Sequence, residues 1–191
     1  MKTKIQEKIL LLCNIIMEKI KLDDYNFDRW LIFCWSTGTW KTYLAKSLLD
    51  KYTNNIEDNK KTKLDWYFVS DWMFKQFVKS NQLILRTSKD WEISITKFPL
   101  EMMVRSKLLI YDDIGVSDAS DAYIRDLTFI LDERIAKWFI TIFTTNLNKE
   151  ELQSKLNERI VSRMLYNSDI VVFTGEDRRL KDTKVYTINN L

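Results

Sequence analysis

A short apolar run that leads into a glycine-centred octapeptide and then a helix constrains this fold more than any other feature of the sequence. Residues 31–34 read Leu-Ile-Phe-Cys, and residues 35–42 read Trp-Ser-Thr-Gly-Thr-Trp-Lys-Thr. With glycine in place of Trp35 and Trp40, the octapeptide is a complete G-x-x-x-x-G-K-[ST] motif, whose backbone N–H groups hold phosphate between a strand and a helix. Apolar residues at helical spacing follow over residues 41–52. The sequence therefore predicts a strand, a phosphate-binding loop and a helix in the order that this motif requires.

Strand and helix patterns alternate along the rest of the chain. Further strands are predicted at 66–69, 108–111, 139–143 and 170–173, and helices at 71–80, from Pro99, at 119–136, at 149–156 and at 157–166. Such alternation favours a parallel sheet with helices on both faces. We therefore expect a three-layer α/β/α fold around a five-stranded parallel sheet, in one domain over residues 29–191. Residues 1–28 are predicted to form an amphipathic helix and a polar connector.

Composition excludes several classes of function. The chain has 191 residues and no histidine, so histidine-based catalysis and histidine–zinc sites are excluded. Two cysteines, Cys13 and Cys34, cannot form a disulfide framework. The longest apolar run, residues 9–17, is too short to span a membrane, so a cytoplasmic protein without a membrane partner is expected. A net charge of +3 permits a nucleic-acid partner without requiring one.

Glycine is scarce and tryptophan is abundant. The chain has three glycines and seven tryptophans, whereas glycine usually makes up about 7% of residues. Glycine is used in phosphate loops because it allows positive φ and a close approach of the backbone to the ligand. An indole at position 40, beside Lys41, would occupy the volume of the phosphate, and Trp35 would crowd the turn out of the strand. The sequence thus combines a nucleotide-site motif with two large side chains that would obstruct it.

Acidic and amide residues follow two other predicted strands. Asp112 and Asp113 come directly after residues 108–111, and Asn146 ends the strand near residue 143. Ligands bind at the carboxyl ends of strands in parallel sheets, so these residues are expected beside the phosphate loop. The alternatives are a pair of solvated loop carboxylates and a turn-forming asparagine.

The residue types suit nucleoside triphosphate chemistry. Lys41 would pair with the β- and γ-phosphates, and the Thr42 hydroxyl would ligate magnesium. Asp112 would hold the same ion directly or through water. Asp113 could act as the base or as the residue that orients the attacking water. Asn146 could bind that water or a γ-phosphate oxygen.

Two groups of basic residues have weaker signals. Arg159 and Arg163 lie four apart on a predicted helix, and on the residues alone they are two surface arginines. A second group could form a basic and aromatic strip for single-stranded nucleic acid, although a solvated helix face with core phenylalanines is the favoured interpretation. Its members are Phe74, Lys75, Phe77, Lys79, Arg86 and Lys89.

Together these motifs resemble the AAA+ ATPases of the bacterial helicase-loader and transposition-helper group (DnaC/IstB-like). The resemblance runs from about Arg29 to Asp182. It is carried by the stretches that begin at Trp30, at Leu108 (Leu-Leu-Ile-Tyr-Asp-Asp-Ile-Gly), at Thr141 (Thr-Ile-Phe-Thr-Thr-Asn-Leu) and at Glu158 (Glu-Arg-Ile-Val-Ser-Arg-Met), with Gly175-Glu-Asp-Arg-Arg near the end.

The resemblance implies more than the residues do alone. It implies a sheet of order 5-1-4-3-2, and ATP hydrolysis with Mg²⁺ in DNA replication or transposition. Single-stranded DNA, a second copy of the chain, and a replicative helicase or transposase are the implied partners. Arg163 would be the arginine finger acting on a neighbouring subunit, Arg159 its helper, and Asn146 the first sensor. The implied nucleotide-binding residues are Trp35, Ser36, Thr37, Gly38, Thr39, Trp40, Lys41 and Thr42.

The departures from the family are concentrated in one residue type. The family normally has glycine where this chain has Trp30, Trp35 and Trp40, and often has glycine near Trp138. UGA encodes tryptophan in some genetic codes and glycine in others, so one hypothesis is that UGA codons for glycine were read as tryptophan. The alternative is a degenerate AAA+ interaction module that binds no nucleotide.

Overall fold

The computed structural model of this chain describes residues 11, 30–34, 41–55, 62, 64–84, 98–116 and 118–172. Five strands and six helices lie in these ranges: β1 (Trp30–Cys34), α1 (Lys41–Asn55), β2 (Trp66–Ser70), α2 (Asp71–Ile84), α3 (Phe98–Arg105), β3 (Leu108–Asp112), α4 (Asp121–Ala136), β4 (Ile140–Thr145), α5 (Lys149–Leu156), α6 (Glu158–Leu165) and β5 (Ser168–Val172). The predicted amino-terminal helix falls outside the described residues, apart from Leu11.

The strands form one parallel sheet in the order β2-β3-β4-β1-β5. Read from the other edge, this is the predicted order 5-1-4-3-2. Strand β1 is second from one edge and pairs with β4 and β5, which come much later in the chain. None of the helices in the described residues is long and apolar enough to cross a membrane.

Side chains of successive strand residues point to opposite faces, which divides the core in two. Leu31 and Phe33 of β1 pack with α1 on one face, in a cluster that also holds Ile110. Ile32 of β1 and Tyr111 of β3 point to the other face, against the remaining helices of the described ranges. The inner strands β1, β3 and β4 are buried along nearly their whole length because both faces of the sheet are covered there, as the predicted three-layer fold requires.

The fifth strand differs from its prediction. The apolar run predicts residues 170–173, whereas β5 begins at Ser168. Ser168 and Asp169 join the sheet because their backbones pair with Trp30 and Leu31. Such pairing at a sheet edge uses main-chain groups, so an apolar pattern cannot reveal where the strand begins.

A buried arginine joins α4 to two neighbouring elements. Arg134 is fully buried, and its Nε donates to the Thr141 hydroxyl at 2.8 Å. Its Nη1 donates to the Met103 and Ser106 carbonyls at 2.6 and 2.8 Å, and its Nη2 donates to the Ile140 carbonyl. Burial lowers the pKa of Arg134 to about 9, which leaves it charged at neutral pH. Arg134 therefore ties α4 to the end of α3 and the start of β4.

The turn after α4 holds a tryptophan in a glycine-like conformation. Trp138 has a φ of 56° and is largely exposed. Its N–H donates to the Ile135 carbonyl at 3.2 Å, and the Phe139 N–H donates to the Arg134 carbonyl at 3.1 Å. This pair of bonds is the Schellman motif, whose left-handed position is usually glycine.

Candidate nucleotide-binding site

The sheet register brings the polar ends of four strands to one edge. Cys34 at the end of β1 is level with Thr145 of β4. Ser70 at the end of β2 is level with Asp112 of β3. The Thr144 hydroxyl of β4 donates to Asp112 Oδ1 at 2.6 Å. The phosphate loop, which follows Cys34 in the chain, therefore starts at the edge where Asp112 ends its strand.

The first turn of α1 meets the end of β3. The Thr42 hydroxyl donates to Asp112 Oδ1 at 2.9 Å. By the alternation of β3, Tyr111 faces α2 and α4, so Asp112 faces α1. The predicted metal-binding pair Thr42 and Asp112 is thus in direct contact.

This pair fits a magnesium ion. A hydroxyl and a carboxylate oxygen are hard ligands of the kind that Mg²⁺ prefers, and magnesium sites normally take only one or two protein ligands beside phosphate and water. Within the described residues no group of three or more Asp, Glu, Cys or His side chains forms another metal site. Thr42 and Asp112 would hold the ion, which would neutralise charge on the phosphates when bound.

Lys41 opens α1 and is buried, with a relative exposure of 3%. Its charge acts on Cys34 at the end of β1. Burial raises the pKa of the Cys34 thiol, and the nearby Lys41 ammonium partly offsets this by lowering the pKa. The lysine thus lies near the start of the phosphate loop. The other predicted nucleotide-binding residues, 35–40, fall outside the described residues.

Asp113 and Asn146 both lie at this edge. Asp113 is half-buried with a φ of 56°, and its N–H donates to the Thr144 hydroxyl at 2.9 Å. The left-handed backbone of Asp113 changes the direction of the chain directly after Asp112, so the two adjacent side chains can point to different surroundings. Asn146 is half-buried and directly follows β4. Their predicted catalytic roles remain predictions.

Arg163 on α6 lies against α4. Its Nε and Nη2 donate to the two carboxylate oxygens of Asp132 at 2.5 and 3.1 Å, and its Nη1 donates to the Arg159 carbonyl at 3.2 Å. Arg159 is exposed on the same helix. The guanidinium is therefore held by a bidentate ion pair within its own chain.

The core phenylalanines of the favoured interpretation of the basic and aromatic strip are confirmed where the structure describes them, whereas Lys75 is half-buried rather than solvated. Phe74 is buried, Phe77 is half-buried and packs on the same core, and Lys75 pairs with Asp71 at 2.7 Å. Only Lys79 of this group is a solvated lysine in the described residues. Arg86 and Lys89 fall outside the described residues, as do Arg178 and Arg179.

Two residues of this edge were not predicted from the sequence. Thr144 links Asp112 to the Asp113 backbone, and Asp71 accepts a hydrogen bond from the Gly115 N–H at 3.3 Å. Asp71 follows a predicted strand just as Asp112 does, and that shared position was the available signal. Thr144 has no such signal, because threonine is common within buried strands.

Comparison with known proteins agrees with this geometry. The sequence pattern of one protein family, described as IstB-like ATP binding protein, matches residues 26–185. No curated protein sequence matches the chain.

Several solved structures with a similar fold are described as replication proteins. The DnaC helicase loader is 24% identical with a TM-score of 0.67, over 91% of this chain and 92% of that chain. A structure of DnaI is 18% identical with a TM-score of 0.64, over 91% and 87% of the two chains. The replication initiator DnaA bound to AMPPCP and single-stranded DNA is 14% identical with a TM-score of 0.67, over 86% of this chain and 46% of that one. These likenesses show that the chain has the same fold as these proteins.

Proposed function

Because this chain belongs to the family of IstB-like ATP binding proteins, we propose that its native form binds ATP with Mg²⁺ and hydrolyses it. The observation that carries the proposal is the 2.9 Å contact between the Thr42 hydroxyl and Asp112, with Lys41 buried beside it. With the Thr144 hydroxyl, which donates to Asp112 at 2.6 Å, three segments far apart in sequence supply one oxygen cluster at the start of a helix. This is the arrangement that phosphoryl transfer with magnesium needs.

Each residue has a role in this proposal. Lys41 holds the β- and γ-phosphates, while Thr42 and Asp112 hold the metal ion. Asp113 orients the attacking water or takes its proton, and Asn146 contacts that water or the γ-phosphate. The loop residues 35–40 wrap the phosphates with their N–H groups, which requires small residues at positions 35 and 40.

The tryptophans in the loop decide whether the chain as written does this chemistry. We propose that positions 35 and 40 are glycine in the native protein, encoded by reassigned UGA codons. Trp138 supports this idea from another part of the molecule, because it has the backbone conformation of a glycine. UGG codons at Trp35 and Trp40 would reject it, and the chain would then be a nucleotide-free interaction module.

Binding of a fluorescent ATP analogue tests the site directly. We expect no saturable binding by the chain as written, and magnesium-dependent binding and hydrolysis by the Trp35→Gly/Trp40→Gly variant. Lys41→Ala in the double-glycine variant is the control and abolishes binding, because the phosphates lose their cation. Tight ATP binding by the chain as written would overturn the steric argument.

We further propose that the protein acts on DNA in replication or transposition and binds single strands. Support comes from the face of α2 near the site, where Trp72 and Met73 are exposed and Lys79 lies two turns further on. Exposed aromatic rings stack on bases, and lysines follow the phosphate backbone. A replicative helicase or a transposase is the protein partner in this proposal, and the DnaC structure is described as that of a helicase loader.

Anisotropy of a labelled single-stranded oligonucleotide tests this surface. Binding is expected to weaken as salt rises, and Trp72→Ala is expected to weaken it about tenfold. Phe129→Ala is the matched control, because Phe129 is an exposed aromatic residue on α4. Equal effects of the two substitutions would remove α2 from the proposal, and no binding at low salt would leave only the ATPase.

A further inference from the structure

Asp71 is a buried carboxylate with several hydrogen-bond donors. It is the first residue of α2, directly after β2, and only 1% of it is exposed. Its Oδ1 accepts from the hydroxyls of Tyr111 and Tyr123 at 3.0 and 2.5 Å. Its Oδ2 accepts from Lys75 Nζ at 2.7 Å and from the Gly115 N–H at 3.3 Å. A buried charge persists only when it is compensated in this way.

Two of these donors belong to the segment that carries the predicted catalytic carboxylates. Tyr111 directly precedes Asp112, and Gly115 lies two positions after Asp113. Asp71 therefore holds the chain on both sides of the Asp112–Asp113 pair. It begins the helix that follows the neighbouring strand β2, and it lies on the opposite face of β3 from Thr42.

The same segment is held from β4 on its other side. The Ile114 N–H donates to the Thr144 carbonyl at 2.9 Å, and the Thr145 hydroxyl donates to the Ile114 carbonyl at 2.9 Å. Gly115 has a φ of 86°, and a Cβ there would meet Leu147 Cδ1 at 2.9 Å. The segment from Asp112 to Gly115 is thus packed between β4 and Asp71.

The hydroxyls reinforce the hold from inside the core. Tyr111 and Tyr123 lie 3.0 Å apart at their oxygens, and Lys75 Nζ lies 4.8 Å from the Tyr123 ring centre. Burial and the neighbouring Asp71 charge raise the pKa of both tyrosines well above the usual value, so both hydroxyls keep their protons and remain donors.

We propose that Asp71 is a positioning residue that sets Asp112 and Asp113 for hydrolysis, acting through Tyr111 and the Gly115 N–H. This inference rests on the proposed ATPase function. Misplacement of reacting groups by about 1 Å lowers rates by about 100-fold, so a fixed loop has a direct consequence for turnover. Nucleotide affinity depends mainly on Lys41 and the phosphate loop, whereas Asp71 binds Tyr111 on the opposite face of the sheet from α1.

The Asp71→Asn substitution separates these effects. The amide oxygen still accepts from a tyrosine, whereas the amide nitrogen cannot accept from the Gly115 N–H. In the Trp35→Gly/Trp40→Gly background we expect kcat to fall about 10- to 100-fold while the Kd for ATP changes less than about twofold. Amide hydrogen exchange in residues 112–116 is expected to accelerate about fivefold or more, with exchange in α4 unchanged.

Three further variants make the test specific. Asp118→Asn removes an exposed carboxylate and is expected to change neither kcat nor exchange. Lys75→Met removes the ammonium, keeps the Gly115 bond, and is expected to retain most of kcat. Tyr123→Phe removes one hydrogen-bond donor to Asp71 and keeps the aromatic ring. It is expected to show a smaller form of the Asp71→Asn effect, and it takes the place of Asp71→Asn in the test if the Asp71→Asn protein does not fold.

The exchange measurement needs no enzymatic activity, so the two proposals fail separately. Absence of hydrolysis in the double-glycine variant overturns the ATPase, while faster exchange in residues 112–116 still supports the hold by Asp71. Unchanged exchange there in a folded Asp71→Asn protein overturns the positioning role. So does a fall in kcat that is matched by an equal loss of ATP affinity or by general loosening of α4.

Discussion

Trp138 has a backbone conformation that large L-residues rarely adopt. A left-handed residue brings its Cβ close to the following carbonyl oxygen and costs about 1–2 kcal/mol. Trp30 behaves differently, although it also stands at a family glycine position. It is buried in β1, its Nε1 donates to the Phe139 carbonyl at 2.9 Å, and its ring lies 5.7 Å from that of Phe143. The structure therefore separates the two tryptophans: one has a packed side chain, and the other has a glycine-like backbone.

Replacing Trp138 by glycine should stabilise the fold. We expect Trp138→Gly to raise the free energy of unfolding by about 1 kcal/mol, since relief of the strained φ outweighs the added entropy of the unfolded chain. Trp138→Ala is the matched control and should not raise it, because alanine keeps the Cβ. Urea denaturation measures both, and an equal gain for alanine would show that the exposed indole, rather than φ, is responsible.

At the scale of elements, the turn before β2 is tied to the start of β3. Asp65 is buried there, and its Oδ2 accepts from the Thr62 N–H at 2.5 Å while its Oδ1 pairs with Lys107 Nζ at 2.9 Å. Burial acts to raise the pKa of Asp65, but the Thr62 and Lys107 contacts outweigh it and lower the pKa below its usual value. The Leu108 N–H also donates to the Asp65 carbonyl, which extends the β2–β3 pairing.

The Asp65 contacts make stability depend on pH. Because the folded pKa is lowered, this stabilisation is complete above the unfolded pKa of about 3.9 and is lost as pH falls through the folded pKa. We expect Asp65→Asn to lower the free energy of unfolding by about 1–3 kcal/mol at pH 7, with the difference shrinking below pH 4. Urea denaturation between pH 7 and pH 3 checks this. The exposed Asp118→Asn is the control, and a difference independent of pH would contradict the role of the charge.

The elements were easier to predict than their contacts. Apolar runs such as residues 108–111 predict buried strands because both sheet faces are covered, and the strand ends then predict that Asp112 meets Thr42. The hydrogen bond between Asp71 and the Gly115 N–H could not be predicted, since it joins the start of a helix to a loop through one side-chain oxygen. The Arg134 contacts with α3 and β4 were missed for a similar reason: a charged residue in a helix pattern is normally expected to face solvent.

At the scale of the whole molecule, the ion pair of Arg163 with Asp132 bears on assembly. Asp132 lies on α4 and is exposed enough for solvent to screen the pair, so the pair contributes little to stability. The predicted arginine-finger role places this guanidinium at the γ-phosphate of a neighbouring subunit, away from Asp132. This role requires that a site in one chain be completed by another chain.

Mixing two inactive variants tests that requirement. In the double-glycine background, we expect Arg163→Ala and Asp113→Asn each to bind ATP and to lose hydrolysis, by about 1,000-fold for the arginine. A mixture should regain activity, because intact sites then meet intact arginines. Asp132→Asn breaks the same ion pair and keeps Arg163, so it distinguishes loss of the arginine from loss of its ion pair. A mixture as inactive as its parts would place Arg163 outside the site.

The position of β1 in the sheet also determines when this site is assembled. Trp30 and its partner Phe139 are 109 positions apart, and both strands beside β1 lie beyond Phe139. A chain emerging from the ribosome therefore carries Lys41 and Thr42 long before β4 and β5 exist to hold them beside Asp112. Proteins dominated by such distant pairings fold slowly and are exposed to misassembly on the way. We infer that the ability to bind nucleotide is acquired late in synthesis. Fragments that end before β4 contain Lys41 and Thr42 but lack the strand that holds them beside Asp112.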